Sequence, residues 1–236
     1  MEFLQNLAAN LSEQFVATFI TEQRYMLFVN GLKTTLIITL SAALLGIVLG
    51  FCIAYVRTTY DRTGKMGFLN VLCKVYLSVI RGTPTMIQLL IMYFIIFGSV
   101  KIDKVPVAIL AFGINSGAYV AEIFRSGIMS IPVGQMEAAR SLGLNYTQAT
   151  WKIILPQAVK NVLPALGNEM IVLLKETSIS GYIALQDLTK AGDIICSRTY
   201  SPYFPLLSVA LIYLVIVMLM ERLLTMMEVR LAQSDR

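Results

Sequence analysis

Residues 159–180 hold the side chains best suited to chemistry, because Asn161, Asn168, Glu169, Lys175 and Glu176 interrupt a run that is otherwise apolar. A charge at the centre of a membrane helix costs about 2.5–3.5 kcal/mol on insertion, whereas each Leu or Ile returns only about 0.3–0.6 kcal/mol. Three charges facing lipid is untenable, so this segment must turn them into a bundle. At about 100° per residue, Glu169 and Glu176 stack within about 20° of one another, and Asn161, Asn168 and Lys175 form an adjoining seam. Both signs of charge on one wide polar face suit a zwitterion, and ionisable groups at membrane depth mark a pathway or a site. The alternative is a self-neutralising Glu169, Lys175 and Glu176 cluster that only joins helices.

Other chemistries lack their parts. The chain has no His, so neither imidazole metal ligation nor a Ser/His or Cys/His pair for hydrolysis is available. Cys52, Cys73 and Cys196 are isolated and form no disulfide framework or CxxC site. A Gly-x4-Gly-Lys-Ser/Thr loop is missing: Gly31-Leu32-Lys33-Thr34 lacks the earlier glycine and the Gly-Lys pair. The chain therefore has no nucleotide cradle, and any driving energy must come from a partner or an ion gradient. No inverted pair of interrupted helices of the secondary-transporter kind is visible.

A second stretch, QMEAARSLGLNYTQATWKIILP at 135–156, is a polar island in this chain. Met136 to Leu142 favours a helix, Gly143 is a stop just past its end, and Asn145 is an acceptable N-cap for a second helix running to Leu155. Two short helices joined at Gly143 make a compact knob suited to a groove in a partner. Ala138 and Ala139 are small enough for close approach, and Glu137 and Arg140 offer charged contacts at the rim. An ordinary amphipathic loop is the plainer reading of the same residues.

The elements that must position these residues follow from composition. With 57% hydrophobic and 14% charged residues and a mean hydropathy of +0.72, the chain is more apolar than a soluble domain, at about 45–50% and about 25%. The reading is an all-α integral membrane protein. Its net charge of +5 belongs to basic cytoplasmic loops and implies no nucleic-acid partner.

Residues 1–24 carry no signal-peptide pattern and read as a retained extracytoplasmic or interfacial segment, with Leu4, Leu7, Leu11, Phe15 and Phe19 at helical spacing. A packing stub is the alternative. Residues 34–56 contain no charge and suffice for one crossing of a core about 30 Å thick. Ala42, Gly46 and Gly50 form a small-residue stripe along them for close helix packing. Arg57, Arg62 and Lys65 then surround a Gly64 turn, which the positive-inside rule puts in the cytoplasm, leaving the N-terminus outside.

Residues 68–80 and 85–97 are each shorter than a crossing and are separated by Arg81-Gly82-Thr83-Pro84. Together they read as one broken span, with a helix start at Pro84 behind an interfacial helix as the alternative. Residues 105–129 return inward with Gly113 and Gly117 as a close-packing pair. Asn115, Tyr119, Glu122 and Ser126 make one polar face, and Glu122 and Arg125 can pair. After residues 159–180, a polar outer segment reaches Pro205 and offers a docking surface. A last span at 204–220 leads to a cytoplasmic tail marked by Glu221, Arg222, Glu228, Arg230 and Arg236. The sum is five transmembrane helices, N-terminus out and C-terminus in.

The spacing Glu137-Ala138-Ala139, Gly143, Ile153-x-Leu155-Pro156 resembles the EAA loop of ABC importer permeases. Arg81-Gly82-Thr83-Pro84 with Gln88, the run from Ala118 to Ile128, and Leu174-Lys175-Glu176-Thr177-Ser178 resemble the polar amino-acid uptake subfamily, of the histidine, glutamine and arginine kind. One departure is Glu176, where that subfamily more often has Asp. The resemblance implies a type I importer permease domain over residues 25–230, with its coupling loop at 133–156 and a tail at 231–236, in the bacterial cytoplasmic (inner) membrane. The implied partners are a dimer of ABC ATPase subunits, a second permease copy or paralogue, an extracytoplasmic amino-acid-binding protein and the lipid bilayer. No cofactor is expected on this chain, which is not itself an enzyme; ATP and Mg²⁺ belong to the ATPase. Glu137, Ala138, Ala139, Arg140, Gly143, Leu155 and Pro156 become the coupling residues. Glu169, Lys175, Glu176, Ser178, Asn168, Asn115 and Tyr119 become the substrate-binding set. A gradient-driven transporter or channel using Glu169 and Glu176 is the competing function, and a membrane scaffold is a third.

Overall fold

A computed structural model describes residues 2–233. Arg236 and the side chains of Leu4, Leu7 and Arg62, all used in the sequence reading, lie outside the described residues. The described residues are helical throughout their regular structure, with no strand among them. The helices are α1 (Glu2–Phe15), α2 (Tyr25–Thr63), α3 (Gly67–Gly82), α4 (Thr85–Ile91), α5 (Lys104–Met129), α6 (Val133–Ser141), α7 (Tyr146–Ala149), α8 (Leu155–Glu176), α9 (Leu188–Thr199) and α10 (Tyr203–Gln233).

The pairing of α2 with α5 is the centre of the bundle, and the small-residue stripe makes it. A Cβ placed on Gly46 would stand 3.0 Å from the Ser116 side chain, and one on Gly50 would stand 2.5 Å from Val120 Cγ1 and 2.8 Å from the Ala121 backbone. Gly113 and Gly117 receive Leu45 and Leu49 in the same way from the other side. Ile38, Ala42, Ala108 and Phe112 are buried at this seam together with Leu89 and Leu173. Close backbone approach is what such stripes provide between helices.

α2 is 39 residues long, longer than its charge-free core, because nothing between Tyr25 and Gly64 breaks a helix. Gly64, at φ +68°, ends it through its N–H to Tyr60 O. α2, α5 and α10 are each long and apolar enough to cross a membrane. The pair α3 and α4, the latter extended by a π turn at Met92–Ile96, would make a fourth span but bends by 108° at its break. Pro84 sits at the N-cap of α4 in extended conformation, so α4 starts anew after the Arg81-Pro84 break. α8 falls short on apolarity for the reason already given: its polar side chains need a polar counterpart. Glu122 and Arg125 do pair, at 3.1 Å, and Arg125 also reaches Asp61 across to α2 at 3.8 Å.

The N-terminal segment is helical and packs on the bundle through its second half. Phe15 lies against Phe19 and Phe204, and Phe19 against Phe28. The outer segment differs from a plain docking surface. α9 buries Leu188, Ala191 and Ile195 against Phe28 and Val209, leaving Asp193, Ser197 and Arg198 exposed on its other face.

Asp187 caps α9, its Oδ1 accepting from the Lys190 N–H at 2.8 Å, and it is fully buried. Burial pushes its carboxyl up to about 6, against the opposing pull of backbone N–H groups at Lys190 and Thr189. A folded-state value above the unfolded one means that the folded chain holds the proton more tightly. Stability is therefore gained as pH falls from about 6 towards 4 and lost as pH rises through 6, by about 3 kcal/mol in all. Asp187→Asn keeps a capping oxygen and removes the charge. Purified wild-type protein should melt at higher temperature at pH 5 than at pH 7.5, and the Asn variant should show a smaller difference. A wild-type protein equally stable at the two pH values contradicts this assignment.

Candidate functional site

The polar island folds as the knob its residues dictate, with one change of boundary. α6 ends at Ser141, where the Leu142 N–H bonds Ala138 O, the Gly143 N–H bonds Arg140 O and the Leu144 N–H bonds Ala139 O. Gly143 takes φ +86°, a left-handed conformation that glycine adopts freely. Asn145 then caps α7 in a full capping box: its side chain accepts from the Gln148 N–H at 2.8 Å, and Gln148 Oε1 accepts from the Asn145 N–H at 3.0 Å.

The second knob helix does not stop at Leu155. It passes through a π turn at Thr150–Ile154 straight into α8. There the Leu155 N–H reaches back to Thr150 O, a register shift that accommodates Pro156, which has no N–H to continue the ladder. Exposed Trp151 and Lys152 leave the freed carbonyls close to solvent. Leu155 and Pro156 are thus the joint between knob and polar helix.

Glu137, Ala138, Arg140 and Gly143 are exposed. Ala139 is only 1% exposed, so it does not meet a partner directly. It faces the second knob helix, together with buried Ala149 and Ile154, and its small size lets the two arms close. Leu142 (82% exposed) and Trp151 (64%) stand out from the knob, a solvent-facing apolar edge of the kind that marks interaction sites. Between the knob and the ends of α2 and α5 lies a cavity of about 280 Å³ lined by Phe51, Tyr55, Thr58, Phe124, Tyr146 and Trp151 among others.

The polar face of α8 is brought to α5 at one point. The Ser116 hydroxyl donates to Glu169 Oε1 at 2.9 Å, and one residue back Asn115 Nδ2 donates to Gln88 Oε1 at 2.9 Å. Gln88 Nε2 in turn donates to Ile80 O at 2.7 Å and to Thr83 Oγ1 at 2.8 Å, so it pins the break between α3 and α4. Tyr119 is half-buried one turn further along α5, with the Arg81 guanidinium 5.7 Å from its ring centre. Tyr76 adds another tie, its hydroxyl donating to Ile114 O.

Not every predicted site residue joins this cluster. Asn161 donates to Ser130 Oγ at 2.9 Å, near the knob. Asn168 and Lys175 are exposed, Glu176 and Ser178 are half-buried, and no ion pair joins Lys175 to either glutamate among the described residues. Ser116, Arg81 and Gln88 are the additions. Ser116 carries no signal of its own on the helical wheel, whereas Arg81 and Gln88 lay in a motif whose side chains had been given no site role.

This arrangement holds two distinct features. An exposed hairpin leads into one end of α8, and further along that helix a half-buried acid is held by a hydroxyl of α5. Residues 42–233 match the family described as binding-protein-dependent transport system inner membrane component. A putative glutamine transport system permease protein GlnP of Rickettsia conorii is 38% identical over 196 residues, covering 82% of this chain and 87% of the relative. The arginine transport system permease protein ArtQ of Bacillus subtilis is 37% identical over 207 residues, covering 87% and 92%. A crystal structure of an amino acid ABC transporter with histidines superposes with a TM-score of 0.82 at 41% identity, covering 90% of this chain and 98% of that one. With most of its length matched by the family and by such relatives, this chain belongs to the binding-protein-dependent transport system inner membrane components, among the permeases of amino-acid ABC transporters.

Proposed function

We propose that the chain is a membrane-spanning subunit of an ATP-driven importer that moves a polar or cationic amino acid delivered by an extracytoplasmic binding protein. The observation that carries this reading is the exposed hairpin of α6 and α7, turned at Gly143, capped at Asn145 and continuous with the helix that bears Glu169. A groove on an ABC ATPase dimer receives Glu137, Ala138, Arg140 and the Gly143 turn. Leu155 and Pro156 pass the motion into α8, and Ala139 keeps the hairpin closed. ATP and Mg²⁺ are bound by that ATPase.

Glu169 and Glu176 supply negative charge for an ammonium or a cationic side chain, and Asn115, Tyr119, Asn168, Lys175 and Ser178 supply polar contacts. The exposed seam of Asn161, Asn168 and Lys175 on α8 suits burial against a second permease, whether a copy or a paralogue, since lipid would leave these groups unsatisfied. α8 then serves as a fifth span beside α2, the bent pair, α5 and α10. The N-terminus lies outside and the tail and knob lie inside the cytoplasmic membrane of a bacterium.

Orientation is testable by labelling in a background without Cys52, Cys73 and Cys196. A cysteine at exposed Thr63 should be shielded from an impermeant reagent applied outside intact cells, and one at exposed Ser197 should react. The reverse pattern overturns the orientation. Tagged chain purified from mild detergent should carry an ABC ATPase with it, and its recovery alone under conditions that preserve other such complexes contradicts the subunit assignment.

A further inference from the structure

On the reading that this chain carries an amino acid, we infer that Arg81, at the break between α3 and α4, receives the substrate carboxylate. Arg81 forms no ion pair with an acidic side chain among the described residues, and its guanidinium lies 5.7 Å from the ring centre of Tyr119. Tyr119 belongs to the polar face of α5, about 22 Å along that helix from Lys104 and about 15 Å from Met129 at 1.5 Å per residue. Arg81 is exposed on this chain, and a charge at membrane depth is paired or looks into a polar path rather than lipid.

The acid and the base are matched across α5. Glu169 is held at Ser116, and Arg81 lies over Tyr119 three residues later, so their anchors are one turn apart, about 4.5 Å along the axis. Lys175, a cation on the helix of Glu169 itself, is six residues from it and about 120° away around the helix. A guanidinium also fits better than an ammonium. Its planar fork donates two parallel hydrogen bonds to the two carboxylate oxygens, and an aromatic face beneath it fixes the plane of the fork. Gln88 completes the arrangement: by bonding Ile80 O, Thr83 Oγ1 and Asn115 together it holds the backbone that carries Arg81.

The test uses the assembled permease–ATPase complex in nanodiscs without the binding protein, with labelled arginine and labelled glutamine as probes and their α-carboxamides as competitors. Wild-type complex should bind a labelled amino acid and prefer the acid over the α-carboxamide at least tenfold. Arg81→Gln should weaken binding at least tenfold and erase that preference. Arg81→Lys, which keeps the charge without the fork, should fall between. Lys74→Gln, a control on the same helix whose Lys74 lies 6.0 Å from the Tyr60 ring centre, should retain the preference. Full discrimination in an Arg81→Gln complex that still holds its ATPase overturns the inference, as does its loss in Lys175→Gln alone. A wild-type complex that binds neither amino acid overturns the transport reading on which the inference rests.

Discussion

Gly143→Asp should insert into the membrane at close to the wild-type level and lose its ATPase, with recovery in a pull-down falling at least tenfold. The geometry separates the two effects. A Cβ at Gly143 would meet nothing within 4 Å, so no core contact is disturbed, but φ is +86°, where an L-residue costs about 1–2 kcal/mol. The cheapest relief is to unwind the turn, which breaks the Gly143 and Leu144 N–H bonds to the end of α6. It also places a new negative charge beside exposed Glu137 and Arg140. Gly143→Asn isolates the charge, since Asn and Asp tolerate the left-handed region alike, and should keep more of the ATPase than Gly143→Asp. Gly134→Ala, on α6 with open space around it, should keep all of it. Undiminished ATPase recovery with Gly143→Asp would falsify the coupling role of the knob.

Glu169→Gln should lower uptake at least tenfold, equivalent to about 1.4 kcal/mol, while the complex still assembles. The change is nearly isosteric, and the Gln carbonyl oxygen can still accept from the Ser116 hydroxyl, so packing between α5 and α8 is retained. Only the charge is lost. An unpaired ammonium taken from water to that depth then has one acid fewer to meet it, a loss that charge-bearing sites register strongly. Vesicle uptake with a size-exclusion check of assembly reads both quantities. Wild-type uptake, or failure through non-assembly, would make Glu169 a packing residue.

The features legible in the sequence were those set by local rules. α5 begins and ends within a residue of its expected bounds because its apolar and polar residues keep helical spacing from end to end. Gly64, Gly143 and Asn145 announce their caps by residue type, and the small residues of α2 announce a helix neighbour without saying which one. What stayed hidden depends on tertiary partners. Pro156 reads as the end of a helix, and only the π turn before it allows α7 to run on into α8. Ala139 looks like an open contact until the second arm of the hairpin folds over it. The buried face of α9 is invisible in a stretch whose polar residues dominate the reading. In the candidate site, Glu169 and the Asn115 and Tyr119 face are legible from helical periodicity. Ser116 and Arg81 are not, because each acquires its role only when another helix comes alongside.

The central claim is that ATP, bound by another subunit, drives this chain to move an amino acid. Its most direct test is uptake of labelled glutamine or arginine into proteoliposomes containing the purified permease–ATPase complex, with binding protein outside and ATP with Mg²⁺ enclosed. The account predicts accumulation that requires enclosed ATP and the binding protein, survives ionophores that collapse ion gradients, and disappears with Gly143→Asp. Accumulation by the chain without its ATPase, driven by an imposed ion gradient, would contradict it.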